Sequence, residues 1–288
     1  MMRTPSIVVA LVLAGALTAC SAPADDAVPA PAPSATELRV ADAIALLPES
    51  VVSDGVLTVG AASGFEPFAY EAEDGEITGA DIDLTRSLAQ RLGLDVEVAV
   101  GDLPAVVSGV EAGTYDVGVG GVFDTVERRA RVDFVHYLLG GSQWAVLAGS
   151  KVTPDAPCGL RLSAVEGSVQ ATRDIPELSK KCVQQGEPAV QFIGVTSSDQ
   201  ASDLLLVGET DAFISDAPVI EYAVGLSKGR LAAAGDIYDP QVYGLVVAKD
   251  ETGLRDALQL ALQSMIDDGS YARLMGKWGL DKGMITLQ

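Results

Sequence analysis

The chain is poor in the residues that metal and nucleophilic chemistry need. It has one histidine, His136, and three cysteines in 288 residues. A single imidazole excludes a histidine-rich metal centre. No C-x-x-C is present, so a thioredoxin-type redox motif is excluded too. Basic residues are also few: 19 lysines and arginines stand against 40 aspartates and glutamates, a formal net charge of −21. Such a balance argues against nucleic acid, whose phosphates need a basic face. It suits a protein kept soluble by self-repulsion. Beyond residue 20 no apolar run approaches the length of a membrane span. Hydrophobic residues at 48% and charged residues at 20% are the proportions of a soluble globular protein.

What is present begins with the first twenty residues. Arg3 gives a short basic start, Ile7 to Leu17 is apolar, and small residues close the segment at Leu17-Thr18-Ala19-Cys20. This is the pattern of a secretory signal. Its end resembles a bacterial lipoprotein lipobox, which implies that Cys20 becomes the lipidated N-terminus. Ordinary cleavage with Cys20 as a free thiol is the alternative. Cys158 and Cys182 then remain as an even pair in an oxidising compartment, read as a disulfide. Closing that loop is worth about 3 kcal/mol on the chain-entropy model. A zinc site is the rival, but two distant cysteines without a nearby histidine do not make one.

Residues 21–36 are rich in Ala, Pro, Ser and Asp, a semi-extended tether that buries no core. A short amphipathic helix is predicted from Glu37 to Leu47, ending before Pro48 and lying on the surface of the folded body. Strands and helices then alternate. Strands are predicted at Val56–Val59, Asp95–Val100, Asp116–Val119, Val132–Val135, Leu160–Val165, Val190–Val195, Asp211–Ile214 and Tyr243–Ala248. Helices are predicted at Ile82–Leu92, Leu103–Ala112 and Glu127–Ala130, after Ser197-Ser198 as far as Gly208, from Pro218, and at Leu254–Ile266. Alternation of this kind predicts mostly parallel sheets covered by helices, with ligands beyond the carboxyl ends of the strands.

Three stretches carry polar chemistry. Gly118-Val119-Gly120-Gly121-Val122-Phe123 fails as a dinucleotide fingerprint, because G-x-G-x-x-G needs glycine where Phe123 stands. Asp124-x-x-Glu127 resembles a capping box and predicts a helix start at Asp124. Arg128 then falls in the first turn, where a cation opposes the helix dipole. Gripping a carboxylate is the natural use for it; a salt bridge to Asp133 or Glu127 is the plainer one. Glu166-Gly167-Ser168-Val169-Gln170 leads from a strand into a helix, an anion site or an ordinary loop. Asp216 ends a strand before Pro218, either as a helix cap or as a carboxylate meeting an ammonium. His136 alone reads as a surface or packing residue.

From Val52 to Leu280 the chain resembles the family 3 solute-binding proteins of polar amino-acid ABC transporters. The resemblance rests on Leu57-Thr58-Val59-Gly60, Gly64-Phe65-Glu66-Pro67-Phe68-Ala69-Tyr70, and Ile77-Thr78-Gly79-Ala80-Asp81-Ile82-Asp83-Leu84. It rests also on Gly113-Thr114-Tyr115-Asp116, Thr125-Val126-Glu127-Arg128, Asp211-Ala212-Phe213 with Asp216, Tyr243-Gly244-Leu245, and Asp268-Gly269-Ser270-Tyr271-Ala272-Arg273 with Lys277-Trp278-Gly279. It implies an α/β fold of two lobes, the type II periplasmic-binding-protein architecture, with two hinge crossings. Mapped here, residues 1–20 are the signal, 21–36 the tether, 37–50 an N-terminal helix, 51–142 and 243–288 lobe 1, and 143–242 lobe 2.

The same resemblance implies a site for each motif. Phe65 lies against the ligand, Gly121 offers backbone, and Arg128 holds an α-carboxylate with help from the Gly167, Ser168 and Val169 amides. Asp216 holds the α-ammonium, Gln170 flanks the pocket, and Phe68 is core. Leu103, Phe123 and Val169 replace an aromatic and two hydroxyl residues common in the family, and Ala62 replaces an aspartate. These departures point to a less polar amino acid, a related carboxylate or a modified amino acid. The implied protein is a monomer without cofactor, metal or catalytic role. It binds a small ligand, delivers it to an ABC permease, and touches the membrane through its lipid alone. A ligand-sensing receptor acting on a signalling partner is the first alternative. A dehydratase-like enzyme of the same fold, with Glu166 as the only tempting extra carboxylate, is the second.

Overall fold

A computed structural model describes residues 34–286, so the predicted signal, Cys20 and most of the tether lie outside the described residues. The first helix, α1 (Ala35–Ala45), starts earlier than its apolar pattern predicts. Ser34 and Glu37 form a capping box there, each side chain bonding the other's amide. It docks on the folded body through buried Ala43 and through Arg39, 3.1 Å from Asp267. A short α2 (Glu49–Asp54) follows Pro48 and ends at Gly55, whose φ of +67° suits glycine.

The first half of the body runs β1 (Val56–Ala62), a small hairpin of β2 (Tyr70–Glu71) and β3 (Ile77–Thr78), α3 (Ala80–Leu92), β4 (Asp95–Gly101), α4 (Leu103–Glu111), β5 (Val117–Val119) and α5 (Val126–Arg129). The chain then enters β6 (Val132–Leu147) and reaches the second half. That half runs β7 (Arg161–Val165), α6 (Ile175–Gln184), β8 (Gln191–Val195), α7 (Ser198–Leu206), β9 (Ala212–Asp216) and α8 (Ala217–Leu226). It returns along β10 (Leu231–Ala248) and closes with α9 (Thr252–Asp267) and α10 (Ser270–Lys277).

One eight-stranded sheet joins both halves in the order β4-β1-β5-β10-β6-β9-β7-β8. Its flanks are parallel: β1 pairs with β4 and β5, and β7 with β8 and β9. Its centre is antiparallel, β10 against β5 and β6, and β6 against β9. The predicted strands at Val132–Val135 and Tyr243–Ala248 are thus only the ends of two long ones, of 16 and 18 residues. These two ribbons carry the chain from one half to the other and back. Gly140-Gly141 in one and Pro240 in the other break the alternation that would reveal a strand. Register shifts on either side of Tyr238 show where the pairing is irregular.

Two apolar clusters form the core, and the larger one runs through both halves, taking in Val165, Val195, Leu205 and Phe213 of the second. The larger includes Leu57, Leu84, Leu88, Leu254, Leu258 and Leu262, so the leucines spaced along α3 and α9 face inward as predicted. The smaller includes Trp144, Leu162, Ile175 and Ile214 around Cys182. Cys182 is bonded to Cys158, with Cα atoms 5.4 Å apart. The disulfide read from the cysteine count is therefore present, and it pins the loop before β7 onto α6.

Candidate functional site

The glycine-rich turn after β5 folds as it does because of Asp81. The Gly120 and Gly121 amides each donate to one oxygen of this buried carboxylate at 2.9 Å, and the Tyr137 hydroxyl donates to the other. Burial pushes the Asp81 pKa up, and these donors oppose the shift. Gly121 has φ +68°, and a Cβ there would stand 2.8 Å from the Phe68 ring. Its N–H faces Asp81, so only its carbonyl is left to offer.

Phe123 follows, and its ring turns into the core. It is 2% exposed and stacks on Tyr243 with ring centroids 4.4 Å apart, while Phe68 lies 4.8 Å from Tyr243 on centroids. The helix start predicted at Asp124 is corrected to Thr125. The Thr125 hydroxyl accepts from the Arg128 amide, and α5 begins at Val126. Asp124 is not the cap because it faces His136 Nε2 at 2.8 Å and Arg129 at 3.1 Å. His136 is therefore a partly exposed surface residue with a hydrogen-bond partner, Asp124.

Arg128 is the cation at the centre. Its guanidinium donates to the Phe123 carbonyl at 3.0 Å and, across the interface, to the Gly167 carbonyl at 3.3 Å. It makes no ion pair among the described residues, neither with Asp133 nor with Glu127; Asp133 is bridged by Lys249 and Arg255 instead. Burial pulls its pKa down, while Asp216 and Glu127 act in the opposite sense.

The second half supplies the facing loop. Gly167 makes the turn out of β7 with φ +78°. The Ser168 amide donates back to Val165, and its hydroxyl accepts from the Ala171 amide at 3.2 Å. One wide helical turn, Gln170–Asp174, then leads into α6. Such π-type turns are rare and often sit at functional sites. Gln170 is 1% exposed. Its side-chain amide donates to Ser142 Oγ at 2.8 Å and to Asp216 Oδ1 at 2.9 Å. Asp216 sits at the end of β9 and does not cap α8 with its side chain. Burial pushes it up to about 7 against the Gln170 bond, the Tyr243 hydroxyl and the Arg128 charge. The Tyr243 oxygen faces this carboxyl but meets strict hydrogen-bond geometry with no partner.

Between these walls lies a chamber of about 550 Å³. Leu103, Pro104 and Val107 of α4 form one side, the α5 segment with Arg128 another, and Gly167, Val169, Thr172 and Arg173 the third. Of the residues singled out from sequence, the chamber gathers Leu103, Arg128, Gly167 and Val169. Phe65, Gly121, Phe123, Ser168, Gln170 and Asp216 do not line it. Pro104, Val107, Thr172, Arg173 and Gln241 were not singled out. Val107 follows Leu103 by four residues, one helical turn, and Pro104 is its neighbour at the start of the same helix; that spacing is the one signal that could have found Val107.

The turn carrying Phe65 forms a second contact between the halves. The Gly64 carbonyl accepts from both the Ser198 amide and hydroxyl at 2.8 Å. Phe65 itself is 3% exposed. Burial pushes neighbouring Glu66 up to about 7, with Asp199 adding to the shift. Among the described residues no cluster of three or more His, Cys, Asp or Glu is arranged to hold a metal ion, and no helix is long and apolar enough to cross a membrane.

Known proteins resemble this chain over most of its length. The arginine-binding protein ArgT of Corynebacterium glutamicum is 34% identical over 243 residues, covering 84% of this chain and 80% of the relative. The L-cystine-binding protein TcyJ of Escherichia coli is 24% identical over 225 residues, 78% of this chain and 82% of the relative. Among solved structures, an ancestral arginine-binding protein bound to arginine aligns with a TM-score of 0.71 at 26% identity, covering 78% of this chain and 98% of its own. Each of these is named for binding, none for catalysis. The architecture is the two-lobed one of periplasmic binding proteins. Residues 57–281 match the family described as bacterial extracellular solute-binding proteins, family 3, and the chain belongs to it.

Proposed function

We propose that this protein is the substrate-binding component of an ABC importer. It collects an amino acid or a related small carboxylate outside the cytoplasm and hands it to a membrane permease. Lobe 1 comprises residues 51–142 and 243–288, lobe 2 residues 143–242, and closure about the two long ribbons traps the ligand. Lipid on Cys20 holds the monomer at the membrane. The protein binds its ligand unchanged and uses neither cofactor nor metal.

The observation that carries this reading is Arg128, a half-buried guanidinium on the chamber wall with carbonyl partners and no ion pair among the described residues. A carboxylate is the group that a planar, bidentate donor fits best. A ligand carboxylate would take the guanidinium from the Phe123 and Gly167 carbonyls, keeping it bonded to both halves through the ligand. The names of the relatives, arginine-binding and cystine-binding, support an α-amino acid or a close analogue.

The test is calorimetry on the chain freed of its first twenty residues, against a panel of amino acids and small carboxylates. Arg128→Ala should lower affinity about 100-fold, in line with losing a charge-assisted pair, and Arg129→Ala less than about threefold. Equal losses would remove Arg128 from its role. Release of the protein into the medium on Cys20→Ser would test the lipid anchor.

A further inference from the structure

The contact between the halves at Gly64 and Ser198 covers an acid. Glu66 follows in the same turn, ahead of β2 and outside the chamber lining. It is 8% exposed, and one of its carboxyl oxygens has no hydrogen-bond partner. Ser198 does not serve that oxygen. Its amide and its hydroxyl both donate to the Gly64 carbonyl at 2.8 Å, and a hydroxyl has one hydrogen to give.

The groups around Glu66 bring no counter-charge. Across the contact, Asp199 stands exposed at the start of α7, with Asp203 one helical turn behind it, and both are acids. From α8 comes Tyr222, whose ring centroid lies 6.4 Å from that of Tyr70 on β2. Burial, the Tyr70 hydroxyl and the charges of Glu66 and Asp199 push the Tyr222 phenol up to about 12, so it stays neutral. Glu221 on α8 is bridged to Lys282 at 3.2 Å. Among the described residues neither Glu66 nor Asp199 has an ion-pair partner.

Resting on the ligand-trapping reading given above, we propose that Glu66 is a proton-operated latch on closure. The halves shut on a ligand more readily when this carboxyl takes up a proton, so its presence makes binding tighten as pH falls. The reason is desolvation. With the halves apart, water solvates the carboxylate, which then titrates near 4. With them together, a charge here is buried without a partner and next to a second acid. Burial, with a further push from Asp199, holds the shut-state carboxyl up to about 7. Between those values closure takes up a proton and is coupled to pH by mass action.

Burial also holds Asp216 up to about 7, so the pH dependence of the wild type alone assigns nothing to Glu66. Glu66→Gln keeps the side-chain shape and removes the titration. Calorimetry on the chain freed of its first twenty residues would use L-glutamine and L-arginine as probes at pH 5 and pH 8. Glu66→Gln should bind more tightly than the wild type, and its gain should be about tenfold larger at pH 8 than at pH 5. Asp216 is present in both proteins and cancels from that comparison. Asp199→Asn, a change at the exposed rim, should give a smaller gain of the same sign. Equal gains for Glu66→Gln at the two pH values overturn the latch. A variant weaker for L-arginine alone at pH 8 overturns it too, by making Glu66 a partner of the ligand's cationic side chain. Small-angle scattering without ligand separates the latch from the amino-acid reading. The wild-type radius of gyration should rise from pH 5 to pH 8, and that of Glu66→Gln should not; superimposable profiles overturn the proposal. Failure of both probes to bind would count against the amino-acid reading and leave the scattering comparison to decide the latch.

Discussion

Gln170 Nε2 stands between Asp216 Oδ1 at 2.9 Å and Ser142 Oγ at 2.8 Å, with one amide hydrogen for each. Ser142 and Asp216 are cross-strand partners on β6 and β9, so the glutamine bridges two residues that the sheet already sets side by side. The Ser142 hydroxyl passes the chain on to Asp174 at 3.2 Å, and Tyr238 on β10 donates to the same carboxylate at 3.3 Å. A continuous polar path thus runs from Asp216 to both crossing ribbons. Networks of this kind are stabilising when complete and costly when opened.

We predict that Gln170→Leu destabilises the fold by about 2 kcal/mol, because it leaves two buried oxygens with a missing donor. Ser142→Ala should cost about 1 kcal/mol, since the glutamine keeps its Asp216 contact. Urea unfolding would measure both as shifts in midpoint at constant slope. If both variants unfold at the wild-type midpoint, the path contributes nothing to stability.

Asp216 and Glu66 are both held up to about 7 by burial. In the unfolded chain such carboxyls titrate near 4. Between those values the folded state carries more protons than the unfolded one, so protonation favours folding. Their contribution is complete below pH ~4 and is lost as pH rises through 7. We predict a component of stability that declines from pH 5 to pH 8, and a flatter profile in Asp216→Asn and in Glu66→Gln. Thermal unfolding across that range would test it; wild-type slopes in both variants would show that neither carboxyl is responsible.

Periodicity reached the elements whose apolar faces are regular. Leu84, Leu88 and Leu92 mark α3, and Leu254, Leu258 and Leu262 mark α9, because one buried stripe suffices to show a helix. The crossing parts of β6 and β10 stayed hidden, since their exposure varies irregularly along Gly140-Gly141 and across Pro240. The C-terminal helix α10 and short α2 went unread because they bury too little to show a stripe, Tyr271 and Met275 in the first and Val51 alone in the second. At the site, the segments that meet could be named from sequence, and Cys158 had only one partner left to take. Side-chain destinations could not be named. Whether Phe123 turns to a ligand or to Tyr243, and whether Asp124 or Thr125 caps α5, depends on residues more than ten positions away or on local geometry that one-letter spacing does not encode.

Cys158 and Cys182 close a loop of 24 residues around the smaller core. Cys182 is 1% exposed, so its sulfur is also part of the packing. We predict that the paired substitution Cys158→Ser with Cys182→Ser costs about 3 kcal/mol, mostly from freeing the unfolded chain. Unfolding with and without reductant would measure it. A wild-type protein indifferent to reductant, with the bond shown reduced by mass, would argue that the core alone holds this loop.

The Gly64 carbonyl takes two hydrogen bonds from Ser198, and Gly64 lies on the other side of the interface from α7. Its φ is +98°, and a Cβ there would stand 2.9 Å from the Thr196 carbonyl. A side chain at this position therefore meets both backbone strain and a clash with the opposite half. If the halves close on ligand, Gly64→Ala taxes the closed state while leaving the open one less affected, and affinity falls by the fraction of closed molecules lost. We predict about a tenfold weaker ligand affinity in Gly64→Ala and about threefold in Ser198→Ala, the latter losing one hydrogen bond. Small-angle scattering should show a larger radius of gyration for ligand-saturated Gly64→Ala than for the saturated wild type. Unchanged affinity together with an unchanged radius would mean that the contact between Gly64 and Ser198 plays no part in closure.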